Sequence, residues 1–281
     1  MIHNYIATPD IEAYDKVVAK LRDFFHGKGF VEVHTQDRLS ILAACEDPTT
    51  VATYEYAGQV WPLPQTGQMW LEYELLTKPE LPGVFCVSTS YRAEQNPVEG
   101  RHKIIFPMFE FESRGTMEEL QKLEEELLEF LGYTKHDGQY PRVSWSDMAN
   151  HYETNDLTSG HEKMMEKEFG AVTFLEYFPE HTSPFWNMMR SNDGTAHKID
   201  VILSGMETIG SAERSTDTKD MRERFMTISD GEYANLLYEK FGKERVQREL
   251  EDFLSLNFFP RYGGGIGLTR LIDSMKKESL M

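Results

Sequence analysis

A segment between residues 91 and 106 brings cationic side chains together in an otherwise acidic sequence. It contains Arg92 and Glu94 and, beyond a polar stretch, Arg101, His102 and Phe106. A guanidinium group offers a planar fork of donors that matches phosphate oxygens, so two arginines and a histidine on one hairpin could bind a polyphosphate. The alternative is a surface hairpin whose cations form ordinary ion pairs.

A second candidate is the acidic pair Asp200 and Glu207, which precedes the sequence GSAER at residues 210–214. An odd separation within one strand places two side chains on opposite faces, so a bend or bulge near Gly205 is needed to bring them together. If they converge, their oxygens could hold Mg²⁺ beside phosphates. The alternative is two unrelated surface acids.

The third candidate is the glycine run GGGIG at residues 263–267, which leads into a helix carrying Arg270 in its first turn. Glycines let a backbone approach a nucleotide closely, and Arg270 would point toward that space. No GxGxxG or Walker sequence accompanies the run. A tight strand-to-helix turn is therefore the competing interpretation.

Local patterns predict the elements that would position these groups. Thr8 can cap a first helix, and Thr116 with Glu119 forms a capping box for another. Glu110 and Glu112 alternate with apolar residues, which predicts a strand with a solvated acidic face. The predicted helices are 9–25, 116–131, 230–241 and 246–254, and the predicted strands are 30–33, 109–112 and 199–203. Without regular βαβ alternation, the pattern favours an α+β fold with a mainly antiparallel sheet.

Composition limits the classes of function. The chain has 281 residues with 29 Lys+Arg against 47 Asp+Glu, a net charge of −18. That acidity argues against a protein that coats DNA or other nucleic acid through a general basic surface, and against an anchor on an anionic membrane. No long apolar segment or export signal is present, and Cys45 and Cys86 lack metal-site spacing. A cytoplasmic protein with reduced thiols is expected.

Together the three candidate clusters resemble the signature of the class II aminoacyl-tRNA synthetases. The cationic hairpin resembles motif 2, residues 263–270 resemble motif 3, and residues 29–33 resemble the end of motif 1. The motifs occur in the family's order, and the resemblance extends from about residue 15 to residue 271. It implies one class II synthetase-like catalytic domain over residues 1–281, a mainly antiparallel sheet flanked by helices, and a homodimer.

Further segments resemble the aspartyl/asparaginyl branch of that class, namely residues 65–72, 159–162, 177–186 and 207–214. Two departures bear on the expected function. Gln36 stands where motif 1 has a dimer-interface proline, and Leu71 stands where aspartate-specific members carry a lysine. The second departure, with Glu72 beside it, favours asparagine-like recognition. We expect a catalytic domain without the anticodon-binding domain typical of this branch, and the sequence stops 11 residues after Arg270, where relatives continue.

The resemblance also implies roles for individual residues. For ATP, it implies Arg92 on the α-phosphate, Arg101 and His102 on the γ-phosphate, Phe106 and Arg270 on the two faces of adenine, Glu94 at the adenine end, and Gly265 and Gly267 along the nucleotide. It implies Asp200 and Glu207 as Mg²⁺ ligands, and Gln68, Glu72 and Arg214 around the amino acid. Arg92, Arg270 and Glu207 would carry the catalysis.

The implied reaction is attack of an amino-acid carboxylate on ATP, which gives an aminoacyl-adenylate and pyrophosphate. Three functions fit it. The first is an ammonia-dependent, AMP-forming asparagine synthetase, similar to archaeal-type enzymes descended from asparaginyl-tRNA synthetase. The second is a ligase that transfers asparagine or an analogue to tRNA or another acceptor, and the third is a non-catalytic amino-acid-binding paralogue. The charge of −18 favours the first and leaves tRNA as an open alternative.

Overall fold

The computed structural model describes residues 5–34, 39–43, 48–97 and 103–281, and its centre is a sheet of eight strands. In chain order the strands are β1 Val31–Glu32, β2 Thr53–Tyr56, β3 Gln59–Pro62, β4 Gly83–Tyr91, β5 Ile105–Arg114, β6 Arg142–Ser144, β7 Val172–Phe178, β8 Ala196–Leu203, β9 Met206–Arg214 and β10 Arg261–Gly267. The large sheet has the order β1-β4-β5-β10-β9-β8-β7-β6, and β2 and β3 form a separate hairpin.

The helices confirm the predicted periodic segments, with shifted ends. They are α1 Ile11–Gly27, α2 Gln68–Thr77, α3 Met117–Leu131, α4 Trp145–His151, α5 Ser159–Phe169, α6 Thr218–Thr227, α7 Glu232–Phe241, α8 Lys243–Leu254 and α9 Leu268–Lys277. The capping box of Thr116 and Glu119 is present at α3. The prediction of Thr8 as the cap of α1 is wrong, because Asp10 accepts the first free backbone N–H groups there.

The expectation of a mainly antiparallel sheet is also wrong, because the sheet is mixed. Strand β1 pairs parallel with β4, and β6 pairs parallel with β7, while the strands between them run antiparallel. A parallel pair needs a crossover connection, which α2 supplies between β1 and β4 and which α4 and α5 supply between β6 and β7. The edge strand β1 lies within the predicted strand 30–33, whereas the edge strand β6 has three residues and is too short for a period-of-two pattern to reveal it.

Two apolar clusters hold the layers together. Helices α1, α3 and α9 bury their apolar stripes against one face of β5, β8, β9 and β10. A second cluster joins α6, α7 and α8 around Trp186. The second face of the central strands forms the floor of a cavity, and the start of α2 contributes to its wall. None of the helices in the described ranges is long and apolar enough to cross a membrane.

The first cluster contains one carboxyl group that burial should keep protonated. Glu124 of α3 is fully buried against the sheet. Burial raises the pKa of Glu124 to about 8, with Glu176 and Asp200 adding to the increase and the hydroxyl of Ser211 opposing it. In the unfolded chain the same group titrates near its ordinary pKa of 4.5. Folding stability therefore depends on pH through this residue.

We predict that Glu124→Gln removes part of the loss of stability at alkaline pH. Between pH 4.5 and about 8, the unfolded chain releases the Glu124 proton while the folded chain retains it. The free energy of unfolding therefore falls with rising pH, by up to about 5 kcal/mol from this group. The measurement is urea unfolding at several pH values. The exposed Glu118→Gln on the same helix should keep the wild-type pH dependence, and an unchanged slope in Glu124→Gln would contradict the prediction.

Candidate active site

A cavity of about 480 Å³ lies on the face of the sheet opposite α1 and α3. Of the residues with sequence-based assignments, those in its wall are Gln68, Arg92, Glu94, Phe106, Glu207, Arg214, Gly265, Gly267 and Arg270. Asp200 and Glu72 lie just behind the wall. Arg101, His102 and the motif 1 position Gln36 fall outside the described residues. The structure thus gathers most of the candidates from distant segments into one site.

A cation and an aromatic ring form one end of the cavity. The backbone N–H of Arg92, just beyond β4, donates to the carbonyl of Ile104 at 2.8 Å. The Arg92 guanidinium lies 5.4 Å from the ring centroid of Phe106 on β5. Because the two strands are hydrogen-bonded neighbours, the planar cation and the flat ring are fixed side by side. Such a pair can bind a phosphate oxygen next to a flat heterocycle.

The glycine run is strand β10 rather than a turn, and its neighbours explain the glycines. A Cβ atom at Gly263 would lie 2.1 Å from the Glu112 carboxylate, and one at Gly265 would lie 2.8 Å from Cε of Met108. Both side chains come from the paired strand β5 and cross over β10. A side chain at either position would clash with them, so glycine keeps this part of the cavity floor open.

Arg270 lies in the first turn of α9, the helix that follows this strand. Its Nη1 donates to the backbone carbonyl of Glu207 at 2.6 Å and lies 3.7 Å from the Glu207 carboxylate. These contacts hold the guanidinium at the cavity wall, where its remaining N–H groups can contact a nucleotide.

The acidic pair converges because the chain bends between β8 and β9. Gly205 has a φ of +81° at the turn, and a β-bulge interrupts the register between Val201 and Ile202. The Glu207 and Asp200 carboxylates then lie 3.3 and 3.7 Å from the position that a Cβ atom of Gly210 would occupy. The bend anticipated near Gly205 is therefore present, and the two acids face the same space.

Asp200 and Glu207 could supply two ligands to a divalent cation, which is part of a full coordination shell. No cluster of three or more His, Cys, Asp or Glu side chains suited to a metal occurs in the described part of the chain. Mg²⁺ is commonly held by one or two carboxylates, with water and phosphate oxygens completing its shell. Asp200 and Glu207 could supply that number of ligands. In the structure, Nζ of Lys198 lies 3.3 Å from Asp200 and offsets part of the negative charge.

Buried ion pairs form the other end of the cavity. Arg214 donates from Nε at 3.0 Å and from Nη2 at 2.6 Å to Oε1 of Glu112. Glu72 accepts from Nε of Arg261 at 3.0 Å, from Gln68 at 2.8 Å and from Asn187 at 2.6 Å. Glu72 is fully buried, so in this structure it holds Gln68 and Arg261 in place from behind the wall.

Glu112 has an unusual environment within this network. Burial raises the pKa of Glu112 to about 7; Arg214 opposes the increase, and nearby Glu72 adds to it. Because its carboxylate lies directly over Gly263, the side chain is confined between Arg214 and the floor of the cavity. The position of the Glu112 carboxylate therefore determines how the Arg214 guanidinium faces the cavity.

Four further charged residues in the cavity wall have no site assignment from the sequence: Lys103, Glu110, Lys198 and Asp273. The expectation that Glu110 and Glu112 face solvent is wrong, since both are buried. Glu110 accepts the backbone N–H of Gly67 at the start of α2 and the hydroxyls of two neighbouring residues. No pattern in the neighbouring sequence indicates that Glu110 is buried, because its hydrogen-bond partners come from other segments. A pairing of the acidic strand β5 with the glycines of β10 could have suggested it.

Comparison with known proteins gives a family match. The profile of the family "tRNA synthetases class II (D, K and N)" matches residues 7–280. The chain is 25% identical to the asparagine–tRNA ligase of Pelotomaculum thermopropionicum, over 96% of this chain and 67% of the relative. It is also 25% identical to the lysine–tRNA ligase of Campylobacter jejuni subsp. doylei, over 97% of this chain and 62% of the relative.

Solved structures share the fold. Asparaginyl-tRNA synthetase from Pyrococcus horikoshii complexed with asparaginyl-adenylate superposes with a TM-score of 0.76 at 21% identity, covering 95% of this chain and 65% of that chain. The Entamoeba histolytica asparaginyl-tRNA synthetase complex gives 0.73 at 17% identity, with 95% and 63% covered. The chain therefore spans less than two thirds of the length of these two structures.

We predict that Gly263→Ala destabilises the folded chain by about 3 kcal/mol, because the new methyl group overlaps the Glu112 carboxylate and the Phe111 carbonyl. Gly27→Ala is the matched control, since a Cβ atom there meets nothing within 4 Å and helix propensity improves. Urea unfolding of both variants gives the comparison. Equal stability of Gly263→Ala and wild type would contradict the close approach of β5 and β10.

Proposed function

We propose that this chain, which belongs to the class II tRNA synthetases of the D, K and N group, activates an amino acid by forming an aminoacyl-adenylate from ATP. The observation that carries the proposal is the composition of one cavity wall. Arg92, Phe106 and Arg270 lie there with Glu207, and Arg214 and Gln68 line the same cavity. This set pairs groups suited to a nucleotide with groups suited to a small polar substrate.

In the proposed reaction, a carboxylate oxygen of the amino acid attacks the α-phosphorus of ATP in line. The new C–O–P linkage forms as the bond to the β-phosphate breaks and pyrophosphate leaves. No protein nucleophile takes part, so catalysis consists of positioning and charge stabilisation. Arg92 would bind the α-phosphate oxygens, and Phe106 and Arg270 would hold the adenine between them.

Mg²⁺, held by Asp200 and Glu207, would supply charge neutralisation at the phosphate oxygens. The chain's own contribution at this position is the bend at Gly205 that brings both acids to the cavity. Arg270 would hold Glu207 next to the nucleotide, because its guanidinium donates a hydrogen bond to the backbone carbonyl of Glu207.

For the amino acid, we propose aspartate as the substrate and asparagine as the main competitor. Lys198 pairs with Ala212 across β8 and β9, two residues from Arg214 on the same face, so two cations line this part of the cavity. Leu71 is fully buried in a separate apolar cluster and does not line the cavity. The cation expected at position 71 in aspartate-specific members would therefore be supplied from β8.

For the acceptor, we propose ammonia. In that case the side-chain carboxylate of aspartate carries the AMP group, ammonia attacks the acyl carbon, and AMP leaves to give asparagine. The net charge of −18 supports an acceptor smaller and less anionic than tRNA. Transfer to tRNA is the competing outcome that the acceptor experiment distinguishes.

We predict that Arg92→Ala lowers the rate of amino-acid-dependent ATP–pyrophosphate exchange by about 100- to 1000-fold, because it removes a donor to the α-phosphate, where charge develops in the transition state. Arg248→Ala, which removes an exposed arginine on α8, should retain the wild-type rate. Ligand binding without any exchange in the wild type would instead identify a non-catalytic binding protein.

We predict that wild type exchanges with aspartate and, given ammonium, forms asparagine and AMP. Lys198→Met should raise the KM for aspartate about 10-fold and change the KM for asparagine little, since only aspartate loses a charged partner. Exchange with asparagine alone would overturn the aspartate proposal. Product formation with tRNA and none with ammonium would overturn the ammonia proposal while leaving adenylation intact.

A further inference from the structure

A second group of chemically competent side chains lies on the opposite face of the sheet from the cavity. Oγ of Ser191 is 2.8 Å from Nε2 of His197, and Nδ1 of His197 is 2.7 Å from Oε2 of Glu213. Glu213 and Arg214 are consecutive on β9, so their side chains point to opposite faces. None of these three residues lines the cavity. The group is therefore separate from the proposed adenylation site.

The hydrogen bonds define the proton positions in this group. Glu213 as a carboxylate only accepts, so Nδ1 of His197 must carry the proton that it donates. In the neutral imidazole, Nε2 is then the acceptor, and the Ser191 hydroxyl donates to it. This is the arrangement in which histidine can act as a general base on a serine, with a carboxylate holding the ring.

The surroundings fix the carboxylate and the serine. Glu213 also accepts the backbone N–H of Met117 at 3.1 Å, at the start of α3, which fixes the position of its carboxyl group. Ser191 lies in a short turn in which its N–H donates to the Thr195 carbonyl at 2.8 Å and its carbonyl accepts from Gly194 at 2.9 Å. Both ends of the serine–histidine–glutamate chain are thus held by backbone contacts.

The group is accessible and has a free backbone donor beside it. Ser191 is half-buried, and the side chain of His197 is 21% exposed. Within the described ranges, the backbone N–H of Asn192 makes no hydrogen bond. It directly follows the serine, the position that supplies an oxyanion donor in many serine hydrolases.

An aromatic ring completes the surface. The ring of Tyr177 packs edge-on against His197 with centroids 5.8 Å apart and is 37% exposed. Tyr177 has a φ of +60° at a β-bulge in β7, a strained backbone conformation for a non-glycine residue. This backbone places the ring next to the histidine, where it offers an apolar surface to an acyl or aryl group.

We infer that Ser191, His197 and Glu213 form a second catalytic site that hydrolyses carboxylic esters. Oγ of Ser191 attacks the acyl carbon while its proton passes to Nε2 of His197, and the leaving alcohol departs with that proton. Water then attacks the acyl-serine while His197 takes a proton from the water, and His197 returns that proton to Oγ of Ser191 as the acyl C–O bond breaks, which releases the carboxylic acid and free serine. Glu213 is a positioning residue that orients the ring.

The test uses the full chain with an alkyl fluorophosphonate, followed by intact mass and peptide mapping, and p-nitrophenyl acetate as the ester. Wild type should gain one phosphonyl group at Ser191, and Ser191→Ala should gain none. Ester hydrolysis should fall at least about 100-fold in Ser191→Ala and His197→Gln. Glu213→Gln should lower kcat and leave KM nearly unchanged. Ser255→Ala, an exposed serine on the same chain, should behave as wild type.

Two controls make the result decisive. Ser191→Ala removes a single oxygen, so its unfolding curve and its pyrophosphate exchange should match wild type; this site can therefore fail or succeed independently of the proposed adenylation. A folded wild type that is neither labelled nor hydrolytic would overturn the inference and leave the three residues as a structural link between β8, β9 and α3. Labelling that persists in Ser191→Ala would overturn it equally.

Discussion

A buried set of two arginines and two glutamates joins the elements around the cavity. Glu72 comes from α2, Glu112 from β5, Arg214 from β9 and Arg261 from β10, and all four are almost entirely buried. Breaking a buried pair by removing one partner typically costs about 3–5 kcal/mol, because the remaining charge is left uncompensated. The position of α2, and with it Gln68, therefore depends on charges supplied by three strands.

The same set also determines what the cavity can recognise. Arg214 is held on one side by Glu112 and lies 3.9 Å from Glu72, so part of its charge is already balanced within the protein. Because burial raises the pKa of Glu112 to about 7, that balance changes near neutral pH. When Glu112 is protonated, Arg214 presents more of its positive charge to the cavity. The charge that Arg214 offers to the cavity is thus coupled to the protonation of Glu112.

Local signals predicted some of the structure, and interactions between distant segments determined the rest. The α3 capping box of Thr116 and Glu119 was readable because its contacts span one helical turn. The burial of Glu110 was not, because its partners include Gly67, far away in the sequence. The glycine run suggested a turn because glycine disfavours strands, yet β10 requires glycine to make room for Glu112. Asp200 and Glu207 were recognisable as a pair only with a bend at Gly205.

Strand β9 contributes side chains both to the cavity and to the Ser191–His197–Glu213 group, because successive side chains of a strand point to opposite faces. Arg214 reaches the cavity while Glu213 binds His197 on the opposite face. A shift of one residue in its pairing would exchange the two faces, removing the cation from one site and the carboxylate from the other. The close contacts of Gly263 and Gly264 with the neighbouring strands oppose such a shift, because a side chain brought to either position would clash with β5 or β9. The glycines that open the floor of the cavity therefore also fix the register on which both faces depend.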